Sequence, residues 1–225
     1  WERGGVAEVK AGLARLEKLA APGNARERDH MSALAAWAAG DWQGMRVRLG
    51  RILTDYPRDL LALQICHLAD FFLGDRDNLR DRIARVLPAW SPQDEGYGLV
   101  LGMHAFGLEE CGDYGRAEAA GRRALDMIPD DCWARHAVAH VMEMAARQEE
   151  GIAFMAGSAA HWAQEDNVFA VHLWWHTTLF HLDQGDVRRA LEIYDRAIRP
   201  APGAVQVALL DAAALLWRLH LNGED

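Results

Sequence analysis

The segment that decides the fold is residues 112–129, "GDYGRAEAAGRRALDMIP". It opens on Gly-Asp and runs through an amphipathic stretch of helical period to Pro129. The same design recurs in "GDVRRALEIYDRAIRPAP", residues 185–202, and Gly-Asp pairs also stand at Gly40 and Gly74. Each pair follows an apolar helical run such as "MSALAAWAAGD" or "LQICHLADFFLGD". A glycine after such a run is a helix stop, because the left-handed conformation costs it no steric strain. The aspartate that follows can cap the next helix. Three of the second segments end in proline, at Pro57, Pro129 and Pro202. There is no sustained two-residue alternation and no hairpin dipeptide between β-branched runs. The expected pattern is helix, short turn, helix, repeated.

Spacing makes the repeat specific. Gly112, Ala117, Ala124 and Pro129 resemble the Gly, Ala, Ala and Pro of a tetratricopeptide repeat (TPR), and Gly185, Ala190, Ala197 and Pro202 fall at the same offsets. Trp174 takes the early tryptophan place. With these anchors, repeats start near residues 26, 60, 98, 132, 171 and 205, in steps of 34, 38, 34, 39 and 34. The repeat length is 34, so two units carry insertions, at "LPAWSPQDEGYG" and "SAAHWAQEDNV". The expected fold is all-α: a right-handed α-solenoid of TPR-like helix pairs, about five and a half repeats, as a single superhelical domain over residues 1–225. Residues 1–25 read as a leading helix. One helix pair cannot bury its apolar face alone, whereas a stack can. The chain starts at Trp1, and its last unit stops after one very apolar helix. It therefore reads as a fragment of a longer protein.

Composition narrows the function. The chain has 225 residues, 51% of them hydrophobic, and a net charge of −9. That balance argues against a nucleic-acid partner, which needs clustered Lys and Arg, and gives no polybasic signal for a membrane. No apolar run reaches the ~20 residues needed to span a bilayer. The three cysteines, Cys66, Cys111 and Cys132, form no C-x-x-C pair. That argues against a disulfide framework and fits a reducing, cytoplasmic setting.

The stretch "WARHAVAHVMEM", residues 133–144, carries Trp133, His136, His140 and Glu143 on one helix face. Resemblance to TPR proteins implies that ligands are met by the first helix of each repeat, near positions 2, 5, 6, 9, 12 and 13. These four residues hold positions 2, 5, 9 and 12. In the next repeat, "VHLWWHTTLFHL" puts His172, Trp175 and His176 at 2, 5 and 6. His30 and Gln64 hold position 5 of repeats one and two, and Trp37 position 12 of the first. His104 and Asp211 fall at position 7, a packing place, and His67 at 8, so they are weaker candidates.

Three chemistries fit this wall. Paired histidines four apart are a common zinc-ligand geometry, so His136, His140, His172, His176 and Glu143 are candidate metal ligands, though the spacing does not firmly imply a divalent metal. The same five residues are candidate catalytic groups for metal-free acid–base chemistry of a hydrolase or lyase type. No nucleophile motif accompanies them. The leading expectation is recognition of a peptide, protein or small-molecule ligand in a groove lined by His30, Gln64, Trp133, His136, His140, Glu143, His172, Trp175 and His176. Among the remaining residues, "AARQEEG" reads as a solvated helix end. Trp217 and His220 read as helix packing, and Met103, Met142, Met144 and Met155 as core filling.

Longer segments carry a closer likeness. "RERDHMSALAAWAAGDW", "LRDRIARVLPAWSP", "WARHAVAHVMEM", "FMAGSAAHWAQEDN" and "HLWWHTTLFHLDQGDVRRALEIYD" resemble the tetratricopeptide repeat protein 38 family over residues 26–195. Both histidine pairs and Glu143 lie inside those segments. The resemblance implies a repeat architecture and carries no activity.

Overall fold

The computed structural model describes residues 5–19, 23–164, 166–199 and 206–224. Among them all regular structure is helical. A leading helix, α1 (Gly5–Leu19), precedes five antiparallel pairs. The pairs are α2 (Ala25–Ala38) with α3 (Trp42–Asp55), α4 (Leu60–Phe72) with α5 (Arg76–Val86), and α6 (Tyr97–Glu110) with α7 (Tyr114–Met127). Then come α8 (Cys132–Met144) with α9 (Gln148–Gly157), and α10 (Ala170–Asp183) with α11 (Val187–Ile193), which runs on as a π-helical turn through Ile198. A final first helix, α12 (Gln206–Leu221), closes the order. The first helices thus begin within one residue of 26, 60, 98, 132 and 171. Residues 205 and Pro202 lie outside the described residues, as does Trp1.

The Gly-Asp turns work as the chemistry requires. Gly40, Gly74, Gly112 and Gly185 have φ between 68° and 81°, the left-handed region open to glycine. Asp41, Asp75 and Asp186 then accept hydrogen bonds from the amides of Gly44, Asn78 and Arg189, at 2.7, 3.1 and 3.0 Å. Asp113 instead pairs with Arg116 at 3.0 Å. Within "AARQEEG", Ala145, Ala146 and Arg147 form the fourth such turn in chain order, without a glycine. Ala146 takes φ 55°, and Arg147 reaches back to Glu118 of α7 at 2.6 Å and forward to Glu150 at 2.7 Å.

Neighbouring units bury each other's small residues. Ala117, Ala124 and Ala190 are wholly buried. A Cβ on Gly107 would stand 2.7 Å from the Arg80 backbone, so α5 and α6 meet backbone to backbone. Asp70, fully buried on α4, accepts from Arg46 of α3 at 3.0 Å and Arg82 of α5 at 2.7 Å. That arrangement satisfies a charge that would be costly alone. The insertion after α9 drops Trp162 wholly into the core, its indole N–H donating to the Met155 carbonyl at 3.2 Å. Met103, Met142 and Met155 are buried as expected, but Met144 and Trp217 are exposed. Both lie on the outer side of their helices, so neither fills the core.

An alanine in the left-handed region carries a Cβ clash that glycine lacks, about 1 kcal/mol after glycine's own entropy cost. Ala146→Gly should therefore raise the unfolding free energy by about that amount, measured from the urea midpoint. A neutral or lower midpoint would contradict the turn assignment.

Candidate functional site

First helices of successive repeats lie side by side, and α8 contacts both α6 and α10. Residues four apart on one helix stack on one face. His136 and His140 of α8 therefore meet His172 and His176 of α10. One nitrogen from each of the four imidazoles lies within 4.8 Å of the others. The Nε2 of His172 stands 3.0 Å from that of His136 and 3.2 Å from that of His176.

The far side of three rings is held by a carboxylate. His172 Nδ1 is 3.0 Å from Asp211 of α12, His176 Nδ1 is 3.1 Å from Glu143, and His140 Nδ1 is 3.3 Å from Glu109 of α6. An ionised carboxylate only accepts, so His172 and His176 carry their protons on Nδ1. Their Nε2 lone pairs then face each other with no hydrogen between. His136 is buried with its Nδ1 unpartnered.

Aromatic rings close the wall. Trp133 packs against Phe106, His136 and Phe169 at centroid distances of 4.7, 5.5 and 5.5 Å, and its N–H donates to His67 Nε2 at 2.7 Å. Trp175 stacks on His172 at 5.5 Å, while its buried N–H has no hydrogen-bond acceptor. His136 and His176 are 3% and 2% exposed, whereas the side chains of His140 and His172 are 25% and 22% exposed. The cluster is therefore sealed on one side and reachable on the other.

Electrostatics follows from this packing. Burial, reinforced by the neighbouring imidazoles, drives the pKa of His136 and His176 well below the ordinary histidine value. Burial also opposes a charge on His140. The close contact and charge of Glu109, 3.3 Å from Nδ1 without well-aligned hydrogen-bond geometry, outweigh it with Glu143 and Glu110 behind and hold His140 above the ordinary value. Burial pushes the Glu143 carboxyl up, partly offset by His140 and Arg218. His67 is pushed down to about 3 by burial.

Two expected wall residues lie elsewhere. His30 binds Asp59 at 2.8 Å and lines a separate apolar cavity of about 840 Å³ with Trp37, Leu34 and Leu49. Gln64 is half-buried on α4 and takes no part in the cluster. Asp211, read as a packing residue, is corrected to a partner of His172. Glu109, Phe106 and Phe169 were not singled out by the sequence. Counted from Gly98, Phe106 and Glu109 occupy positions 9 and 12 of the third repeat, so the register rule reaches them. Phe169 sits at the end of an insertion, where no periodicity speaks. The three cysteines are free. No helix among the described residues is long and apolar enough to cross a membrane.

No family model matches the chain. Solved TPR structures share its fold. A thermophilic TPR protein of Thermus thermophilus is 18% identical with a TM-score of 0.62, over 85% of this chain and 100% of its own. The MamA RS-1 ArsTM double mutant is 14% identical with a TM-score of 0.57, over 88% and 98%. YrrB, described as a TPR protein with an unusual peptide-binding site, is 14% identical with a TM-score of 0.52, over 92% and 97%. The chain is an all-α, TPR-like solenoid. At these identities the likeness extends to the fold alone.

In the folded chain His136 and His176 stay neutral, while their unfolded counterparts take up protons below about pH 6.5. Stability therefore falls on acidification from about 6.5. His140 acts oppositely: its contribution is complete below about 6.5 and fades as the pH rises through its raised value. Three depressed histidines, His136, His176 and His67, stand against the raised His140 and Glu143. The urea midpoint of metal-free protein should peak near neutrality and fall steadily toward about pH 5, with His67 extending the loss toward 3. A midpoint that climbs over that window would contradict the neutral, buried cluster.

Proposed function

We propose that this chain is a TPR-like scaffold carrying a divalent transition-metal centre, of the zinc class, on the wall of its first helices. One observation carries the reading: three Nε2 atoms meet at 3.0 and 3.2 Å while the Nδ1 protons of two are given to carboxylates. With both protons on Nδ1, the Nε2 lone pairs of His172 and His176 repel at 3.2 Å, while the Nε2–H of His136 can donate to His172 at 3.0 Å. Around one ion with Zn–N bonds of roughly 2.0–2.1 Å, tetrahedral donors stand roughly 3.3–3.4 Å apart. The observed spacings are close to that edge. An imidazole donor set suits Zn, Cu, Ni or Fe, and a carboxylate on the far nitrogen of a ligating histidine is the usual outer support. Membership of the tetratricopeptide repeat protein 38 family is part of the proposal and rests on the segments quoted above.

A second reading, recognition of an apolar peptide or small molecule, is favoured by the cavity beside His30. It would use a different part of the stack. Leu34→Trp, which fills that space, should abolish binding of a fluorescent hydrophobic dye. Dye binding that survives the substitution would remove that reading.

The metal reading is tested with chelator-treated protein at about pH 7.5, where unperturbed histidines are neutral, titrated with Zn²⁺. One ion per chain should bind, and the melting temperature should rise, because an ion that binds only the folded state stabilises it by mass action. His172→Ala should remove the site, and Asp211→Asn should weaken affinity by ~10–100-fold. Failure of Zn²⁺, Co²⁺, Ni²⁺, Cu²⁺ and Fe²⁺ alike to bind in a one-to-one ratio would overturn it.

A further inference from the structure

We propose that the metal centre is open: His136, His172 and His176 hold the ion, and the fourth position, on the His140 side, takes an exchangeable water or small anion. This inference rests on the metal reading above and deepens it. Structural zinc sites are closed by four protein ligands, whereas sites that bind or transform a ligand keep one position free. The four histidines do not contribute alike.

Three of them form a chain of contacts through Nε2. His140 lies within the 4.8 Å cluster, but its one close polar contact is to Glu109, on the opposite helix neighbour. Glu110 stands within 4.8 Å of that pair. Two carboxylates of α6 draw its Nδ1 toward α6, while its ring stays packed 4.2 Å from His136 and 4.5 Å from His176.

Exposure divides the set two against two. His136 and His176, at the floor, are closed to solvent, and the opening lies between the partly exposed His140 and His172. An ion held by the inner three would turn its remaining position to that opening. Trp175 lies against the two α10 histidines, 5.0 Å from His176 and stacked on His172. Its buried N–H lacks an acceptor, and a buried donor without a partner is costly. An anion or water bound at the open position offers one. Arg218, 5.7 Å above the Trp175 ring, adds positive charge on that side. The ligand class is thus a small oxygen or nitrogen donor, water or a monoanion.

The test uses the full chain loaded with Co²⁺, whose visible ligand-field bands report its coordination, and azide as the probe anion. Azide should shift the bands saturably. His140→Ala should still bind one Co²⁺, with no greater loss than the ~10-fold of an outer-shell change. Bands indifferent to azide would overturn the inference, as would loss of Co²⁺ from His140→Ala on the scale of His172→Ala. Either result would show a closed four-histidine site and leave the metal reading intact. If His140→Ala does not fold, the azide response of the unmodified chain decides alone. Failure of the unmodified chain to take up either Co²⁺ or Zn²⁺ would instead sink the metal reading.

Discussion

The Nε2 of His172 meets the Nε2 of both His136 and His176, and the rest of the site is arranged around that contact. It requires two first helices of adjacent repeats to run side by side, with one face of each turned inward at matching height. α8 supplies histidines at spacing four, and so does α10. The outer carboxylates then come from three sources: Glu109 on α6, Glu143 on α8 itself, and Asp211 on α12. Four successive first helices thus converge on one place. A repeat stack is suited to this, because each unit contacts only its neighbours, and corresponding positions fall in a row.

The cluster is expensive to hold as bare protein. Two of its rings are sealed from water, one buried nitrogen has no partner, and lone pairs oppose one another. Buried polar groups are tolerated when satisfied and costly when not. The surrounding aromatic wall of Phe106, Trp133 and Phe169 supplies the burial that keeps the geometry in place. An ion at the centre converts the opposed lone pairs into bonds and leaves the carboxylate contacts unchanged. The strain is confined to the Nε2 side, where a cation would sit. The Nδ1 sides of His172 and His176 are already satisfied.

Much of this is legible in the chain itself. The Gly-Asp turns and the buried alanines set the register, and the register puts His136, His140, His172 and His176 on facing walls. Its failures have physical causes. Asp211 takes position 7 when counted from residue 205, one residue from the ligand-facing position 6, yet it meets His172. A shift of one residue turns a side chain by ~100°. Glu109 and Phe106 obey the rule in a repeat that draws no attention, because neither residue type is conspicuous alone. His30 and Gln64 share the face but belong to earlier repeats, and register fixes the face of a helix without bringing distant units together. Phe169 is delivered by an insertion whose conformation depends on Trp162 burying beneath it. No periodic pattern encodes that.

The central claim is that one ion accounts for the meeting of the histidine nitrogens. X-ray absorption spectroscopy of the zinc-loaded full chain tests it most directly. A first shell of nitrogen or oxygen at roughly 2.0–2.1 Å, with the outer scattering of about three imidazole rings, is the predicted result. A spectrum without imidazole scattering would contradict the account, because it would put the ion elsewhere and leave the histidines as packing.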